Sequence, residues 1–121
     1  MRKPAFEALV RNSVNELPDY FLNIMNNVDF QVRRWPTPRQ LREAQVDSDE
    51  TLLGLYQGYP LTTGFDGNMA PPDIITIFQG PTEAICSTDT EIKDKVRETV
   101  IHEVAHYFGI TDAELEDWGL A

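Results

Sequence analysis

Two histidines four residues apart, His102 and His106, constrain this chain more than any other feature: they are its only histidines, and Glu103 lies between them. An α-helix advances by about 100° per residue, so the two imidazoles would leave one face roughly 40° apart and about one turn apart along the axis. Two imidazoles at this separation can share a metal ion. Glu103 would point to the neighbouring side, where its carboxylate can accept a proton from a metal-bound water. The spacing predicts a helix that carries a metal site with its own general base.

The residues after the second histidine extend this pattern to HExxHxxGxxD, with Gly109 and Asp112 at three-residue steps. A glycine just past the last turn can adopt φ > 0 and end the helix with a sharp change of direction. That bend would bring Asp112 towards the imidazoles as a third ligand and leave one position open for water, as catalytic zinc sites do. A second interpretation stays open, because Thr111 and Glu114 form a predicted capping box that makes Asp112 the first residue of a last helix. Glu114 and Glu116 are alternative ligands.

This pattern resembles that of the zincin metallopeptidases and, more narrowly, of the small bacterial minimal zincin family, in which HExxHxxGxxD lies near the C-terminus. The longer zincin pattern with a third histidine is not met, and no methionine follows the motif. Three other segments are similar to that family: residues 53–61, residues 72–78 and the helix that runs into the motif.

The resemblance implies an α+β fold in one zincin-like domain over residues 1–121, with helices packed on a short mixed or antiparallel sheet. It also implies one Zn²⁺ per chain and peptidase activity, with Glu103 as general base. In zincins, an edge strand above the metal helix binds extended peptide by backbone hydrogen bonds, and the same is expected here.

A hydrolytic site also needs a donor for the developing oxyanion. With no third histidine, the candidates are a backbone amide, an arginine or a tyrosine, and the tyrosines to consider are Tyr56, Tyr59 and Tyr107. Each of them is also a candidate core or rim aromatic.

Two other functions stay open at this stage. One is a metal-dependent hydrolase of something other than protein, and the other is a non-catalytic module that a metal stabilises for binding a partner. A fourth protein ligand, such as Cys86 or Glu116, would favour the module because structural zinc sites are closed. Cys86 is otherwise expected to be a buried structural thiol.

The charge balance excludes some partners. Ten basic against 20 acidic side chains give a net charge of −10, which repels nucleic acid and anionic membranes. Arg33, Arg34, Arg39 and Arg42 are interpreted as a solvated face. The sequence shows no secretory signal and no membrane span, so a cytoplasmic protein with a peptide or protein substrate is expected. The pattern leaves the oligomeric state unknown.

Hydrophobic periodicity predicts the remaining elements. Residues 5–17 predict an amphipathic helix on a sheet, and residues 18–27 a second short helical turn that buries Tyr20, Phe21, Ile24 and Met25. Strands are expected at residues 30–35, 51–58 and 74–79, with a mobile loop over 36–51 and a long loop over 59–73. The motif helix is expected to begin at a Thr88 cap and to pack an apolar stripe under the sheet. That stripe contains Ile92, Val96, Val100, Val104 and Phe108, together with Ile101 and Ala105.

Overall fold

The computed structural model describes residues 1–25, 27–46, 51–58 and 73–117, and of Asp112 it describes the backbone only. Within these residues the chain forms six helices and three strands. In chain order they are α1 (Lys3–Asn15), α2 (Asp19–Ile24), β1 (Val28–Arg33), α3 (Pro38–Glu43), β2 (Gly54–Gln57), β3 (Asp73–Phe78), α4 (Gln79–Ala84), α5 (Asp89–Tyr107) and α6 (Asp112–Asp117).

The three strands form one mixed sheet in the order β1-β3-β2. β1 runs parallel to β3, with Val28 opposite Asp73 and Arg33 opposite Phe78. β2 runs antiparallel to β3, with Gly54 opposite Ile77 and Gln57 opposite Ile74. The sheet is therefore mixed, one of the two arrangements that the resemblance implies. Both β1 and β2 lie at edges of the described sheet.

Helix α5 is the centre of the core. It packs against α1, β2 and β3, and the stripe residues Ile92, Val96, Val100 and Val104 are buried, while Phe108 is half-buried. They meet Phe6 and Val10 of α1 and Ile75 and Ile77 of β3 in one apolar cluster. Burial of this stripe is the main reason for the position of α5, because packing of an apolar face stabilises a helix more than intrinsic propensity does. The packing predicted for the motif helix is confirmed.

Helix α3 corrects the mobile loop predicted for residues 36–51. Thr37 and Gln40 form a reciprocal capping box at its start, and Pro38 occupies the first helical turn. Gln57 of β2 accepts a hydrogen bond from Gln40 and donates one to Glu43, at 3.4 and 2.7 Å, which ties the helix to the sheet. The low apolar content of this segment gave no sign of the helix, because caps and polar contacts stabilise it. Residues 47–50 of the predicted loop lie outside the described part.

The second helical turn is correct in place, but the buried face predicted for it is not. α2 covers Asp19–Ile24, and none of its residues is buried. Phe21, Ile24 and Met25 are half-buried, whereas Tyr20 is 70 % exposed and packs edge to face against Phe21. Most of the predicted 59–73 loop lies outside the described residues. The fold is α+β, as predicted, and no helix in the described part of the chain is both long enough and apolar enough to cross a bilayer.

Candidate active site

His102, Glu103 and His106 lie in the last two turns of α5. The histidines are half-buried, whereas Glu103 is only 7 % exposed. This follows from the helix period: the histidines lie on the side of α5 away from Val104 and Ile101, and Glu103 turns from them towards the sheet. The sequence predicted this arrangement on one helix, although it did not predict the burial of the carboxylate.

Glu103 and His106 are joined by a hydrogen bond, with 3.1 Å between Oε1 of Glu103 and Nδ1 of His106. When the carboxylate is ionised, His106 donates from Nδ1, which leaves the lone pair of a neutral imidazole on Nε2, a nitrogen that can bind a metal. The Nε2 atom of His102 is also shielded from solvent. Through this hydrogen bond Glu103 orients the imidazole of His106.

Gly54 lets strand β2 lie directly against this part of α5. A Cβ atom at position 54 would lie 2.7 Å from Cγ2 of Thr99, 3.1 Å from Cγ of Glu103 and 3.3 Å from the carbonyl oxygen of Thr76. The hydroxyl of Thr99 is turned away and donates to the carbonyl of Lys95 at 2.7 Å. Glycine is thus needed for its size. Sequence reasoning missed this role, although a glycine inside a strand pattern is a known signal of close approach.

The corner after α5 is built by a glycine, as the sequence predicts. Gly109 has φ 74°. The amide of Gly109 donates to His106 at 3.0 Å, and the amide of Ile110 donates to Ala105 at 2.9 Å. This pair of bonds is the Schellman motif, which satisfies the last carbonyls of a helix.

Helix α6 starts immediately after this corner. The Glu114 amide donates to the Thr111 hydroxyl at 3.2 Å, and the Thr111 amide donates to the Glu114 carboxylate at 3.4 Å. Leu115, 2 % exposed, anchors the helix in the core. The capping box places the backbone of Asp112 at the first position of α6. Its part as third ligand stays a prediction, because its side chain is outside the described structure.

The donor chemistry fits zinc. Two imidazoles one helical turn apart and a carboxylate that fixes one of them are a set that zinc proteins use. Among the side chains that the structure describes, no three His, Cys, Asp or Glu residues converge as a complete metal cage. The described side chains therefore bring together the two candidate histidines and Glu103, without a further candidate ligand beside them.

The alternative ligands have other environments. The Glu114 carboxylate accepts from Thr111, and Glu116 is exposed on α6. Cys86 is half-buried against the core, and burial raises the pKa of its thiol. A raised pKa keeps the thiol protonated, which is consistent with the predicted structural role.

Tyr56 and Tyr107 pack against each other edge to face, with ring centroids 6.0 Å apart. Tyr107 is 4 % exposed, and the hydroxyl oxygen of Tyr56 is buried. Burial and the negative charge of Asp73 raise the pKa of both phenols. Both stay protonated near neutral pH and can donate but not accept a catalytic proton. Their part in oxyanion stabilisation stays a prediction, and Tyr59 lies outside the described residues.

Comparison with known families agrees with this geometry. Residues 25–120 match the family model described as zincin-like metallopeptidase, which spans α5, the corner and the whole sheet. The chain belongs to the zincin-like metallopeptidase family. A search among proteins with curated descriptions finds no significant match.

A solved structure supports the fold of this zincin-like chain. A conserved hypothetical protein from Thermo thermophilus superimposes with a TM-score of 0.60 over 89 % of this chain and 94 % of its own, at 22 % sequence identity. At this identity the similarity concerns the fold alone.

Proposed function

We propose that this zincin-like chain is a zinc-dependent peptidase in which Glu103 carries the proton of the hydrolytic water. One observation supports this most: the buried Glu103 carboxylate is held between strand β2 and His106, at 3.1 Å from the imidazole. A buried carboxylate this close to one candidate ligand, and on the same helix as the other, would be well placed for chemistry at a metal.

His102 and His106 would hold the zinc, with Asp112 as the proposed third ligand. When bound, Zn²⁺ supplies a Lewis acid that polarises a carbonyl group and lowers the pKa of a water molecule.

Glu103 performs the proton transfers in this proposal. Its carboxylate would accept the proton of the attacking water and later deliver it to the leaving amine. While Glu103 accepts a proton, its hydrogen bond to Nδ1 of His106 must break or be shared with the attacking water. The proximity of Gly54 limits the motion of the carboxylate, so it is held near the reacting atoms.

Strand β2 offers the backbone for an extended substrate. The carbonyl of Leu53 accepts from the amide of Phe78 at 2.9 Å, so the peptide groups of Leu53 and Leu55 face β3. The peptide groups of Gly54 and Tyr56 then face the outer edge, and no strand in the described part of the chain pairs with that edge. We propose that a peptide adds there as a further strand, with Gly54 bringing it over Glu103.

The test is a peptide-library digest with zinc-loaded wild type and Glu103→Gln. The variant keeps the size and hydrogen-bonding reach of the side chain but not its basicity, and loss of a general base costs about 10²–10⁴-fold in rate. Glu98→Gln is the matched control, because Glu98 is an exposed glutamate on the same helix. We expect cleavage by wild type and Glu98→Gln and none by Glu103→Gln.

Retained cleavage by Glu103→Gln would overturn the role of this residue. A wild type that binds zinc and cleaves small amides but no peptide would point to a non-peptidase hydrolase. A wild type that binds zinc and cleaves neither would point to a metal-stabilised interaction module.

A further inference from the structure

The outer edge of β1 is the second open edge of the sheet, on the side away from the candidate active site. The carbonyl of Asn27 accepts from the amide of Asp73 at 2.9 Å, so alternate residues from Asn27 direct their peptide groups to β3. The peptide groups of Val28, Phe30 and Val32 therefore face outwards. No strand within the described ranges pairs with them, and such an edge is a template for another strand.

The side chains along this edge are self-complementary. Asp29, Gln31 and Arg33 share the face of β1 that points away from the core, and Asp29 and Arg33 are both exposed. No ion pair involves either of them among the described residues. In an antiparallel pair of β1 strands centred on Gln31, Asp29 of each copy lies opposite Arg33 of the other. Phe30 then lies opposite Val32.

The alternation of outward-facing and inward-facing peptide groups restricts the possible registers. In a symmetric antiparallel pair, each outward-facing residue must lie opposite an outward-facing residue of the other copy. This is possible only when the pairing is centred on a residue and not between two residues. Only the registers centred on Phe30 and on Gln31 pair five residues of the six-residue strand. The Gln31 register alone sets opposite charges against each other, twice. Asp29 and Arg33 form non-hydrogen-bonded pairs there, in which side chains approach most closely.

The charge around this edge is balanced, in contrast to the rest of the chain. A cleft of about 430 Å³ between α1 and β1 is lined by Lys3, Glu7, Arg11 and Arg33, among others. Two copies with a net charge of −10 each repel one another unless the surfaces that meet carry mixed charge. The α1–β1 edge meets this condition, because Lys3, Arg11 and Glu7 lie at the cleft and the side chains of Asp29 and Arg33 lie on the other face of the strand.

We propose that this edge pairs with a second copy of the chain, through antiparallel β1 strands centred on Gln31, to form one continuous sheet that joins the three described strands of each copy. The two β2 edges would lie at the far ends of that sheet and stay open to substrate. The proposal does not depend on peptidase activity.

Charge reversal tests the register. Asp29→Arg and Arg33→Asp each place like charges opposite one another at two positions of the dimer. At a cost of about 1 kcal/mol for each of the two pairs, each variant alone should raise the dimer dissociation constant by roughly 30-fold. An equimolar mixture of the two variants restores both opposite-charge pairs in a heterodimer, and the double variant restores them in a homodimer. Sedimentation analysis over a concentration series measures all four. Recovery in the mixture also shows that both single variants are folded.

Cross-linking tests the centre of the register. In a Cys86→Ser background, Gln31→Cys should form an intermolecular disulfide under mild oxidation, because residues opposite each other lie within disulfide reach. Asp29→Cys is the matched control, since its counterpart lies four residues away along the partner strand, about 13 Å. A wild type that is monomeric at every concentration would overturn the proposal. This holds even if the β1 edge binds an added peptide. Single variants that dimerise as well as wild type, or a mixture that does not recover, would overturn it too.

Discussion

The two halves of the HExxHxxGxxD motif are held by different forces. The first half lies in α5, where most of the stripe residues are buried and β2 approaches within van der Waals contact at Gly54. The second half lies in the corner and in α6, where a glycine and a capping box set the path of the chain. Tertiary packing therefore fixes the histidines and Glu103, whereas local backbone hydrogen bonds fix the place of Asp112.

The largest effect is expected where packing is tightest, at Gly54→Ala. The new methyl group would overlap Cγ2 of Thr99, and forced overpacking typically costs about 1–3 kcal/mol. We expect a loss of this size in the free energy of unfolding, together with a loss of peptide cleavage because β2 moves away from Glu103. Chemical denaturation and the library digest measure the two effects.

A double variant tests whether the loss of stability comes from the overlap with Thr99 or from any side chain at this position of β2. Gly54→Ala with Thr99→Ser removes Cγ2 but keeps the hydroxyl that donates to Lys95. Part of the stability should return. If it does not, the contact with Thr99 is not what requires glycine.

Gly109→Ala should have the next largest effect. An L-residue in the left-handed region costs roughly 1–2 kcal/mol, and φ at this position is 74°. Gly109→Asn is the control, since asparagine tolerates this conformation better than alanine. If the corner positions a ligand, zinc affinity measured by competition with a chelator should fall more in the alanine variant. Equal zinc affinity in both variants would show that the corner at Gly109 does not position a metal ligand.

Thr111→Ala should have the smallest effect. Loss of a helix cap costs about 1 kcal/mol, and α6 is a helix of only six residues. We expect faster amide hydrogen exchange within α6 and unchanged exchange in α5, whose cap is a separate residue, Thr88. Thr111→Ser should exchange as wild type does. Faster exchange in α5 as well would show that the two halves of the motif are not separately stabilised.

The parts of this fold that the sequence predicted are those with strong local signals. The four-residue repeat from Ile92 to Val104 predicted helix α5, and Gly109 predicted its end. Thr37 and Gln40 form an equally local capping signal for α3, but apolar periodicity does not indicate this helix because α3 has no buried residue. The predicted burial of Tyr20 was wrong because helical spacing alone does not tell which side of a short helix meets the core.

Tertiary contacts could not be predicted in the same way. The closeness of Gly54 to Thr99 and Glu103 joins residues 45 or more positions apart in the sequence. The hydrogen bond between Glu103 and His106 depends on the rotamers of the two side chains, which residue spacing does not determine. Sequence spacing placed these residues on one helix, and only the fold shows that the carboxylate is buried.

Zinc stoichiometry of the protein purified without a histidine tag tests the central claim most directly. Elemental analysis of wild type, Glu103→Gln and the double variant His102→Ala, His106→Ala should give about one zinc per chain, about one and none. Zinc retained by the double variant, or a wild type that neither contains zinc nor takes it up, would contradict the account.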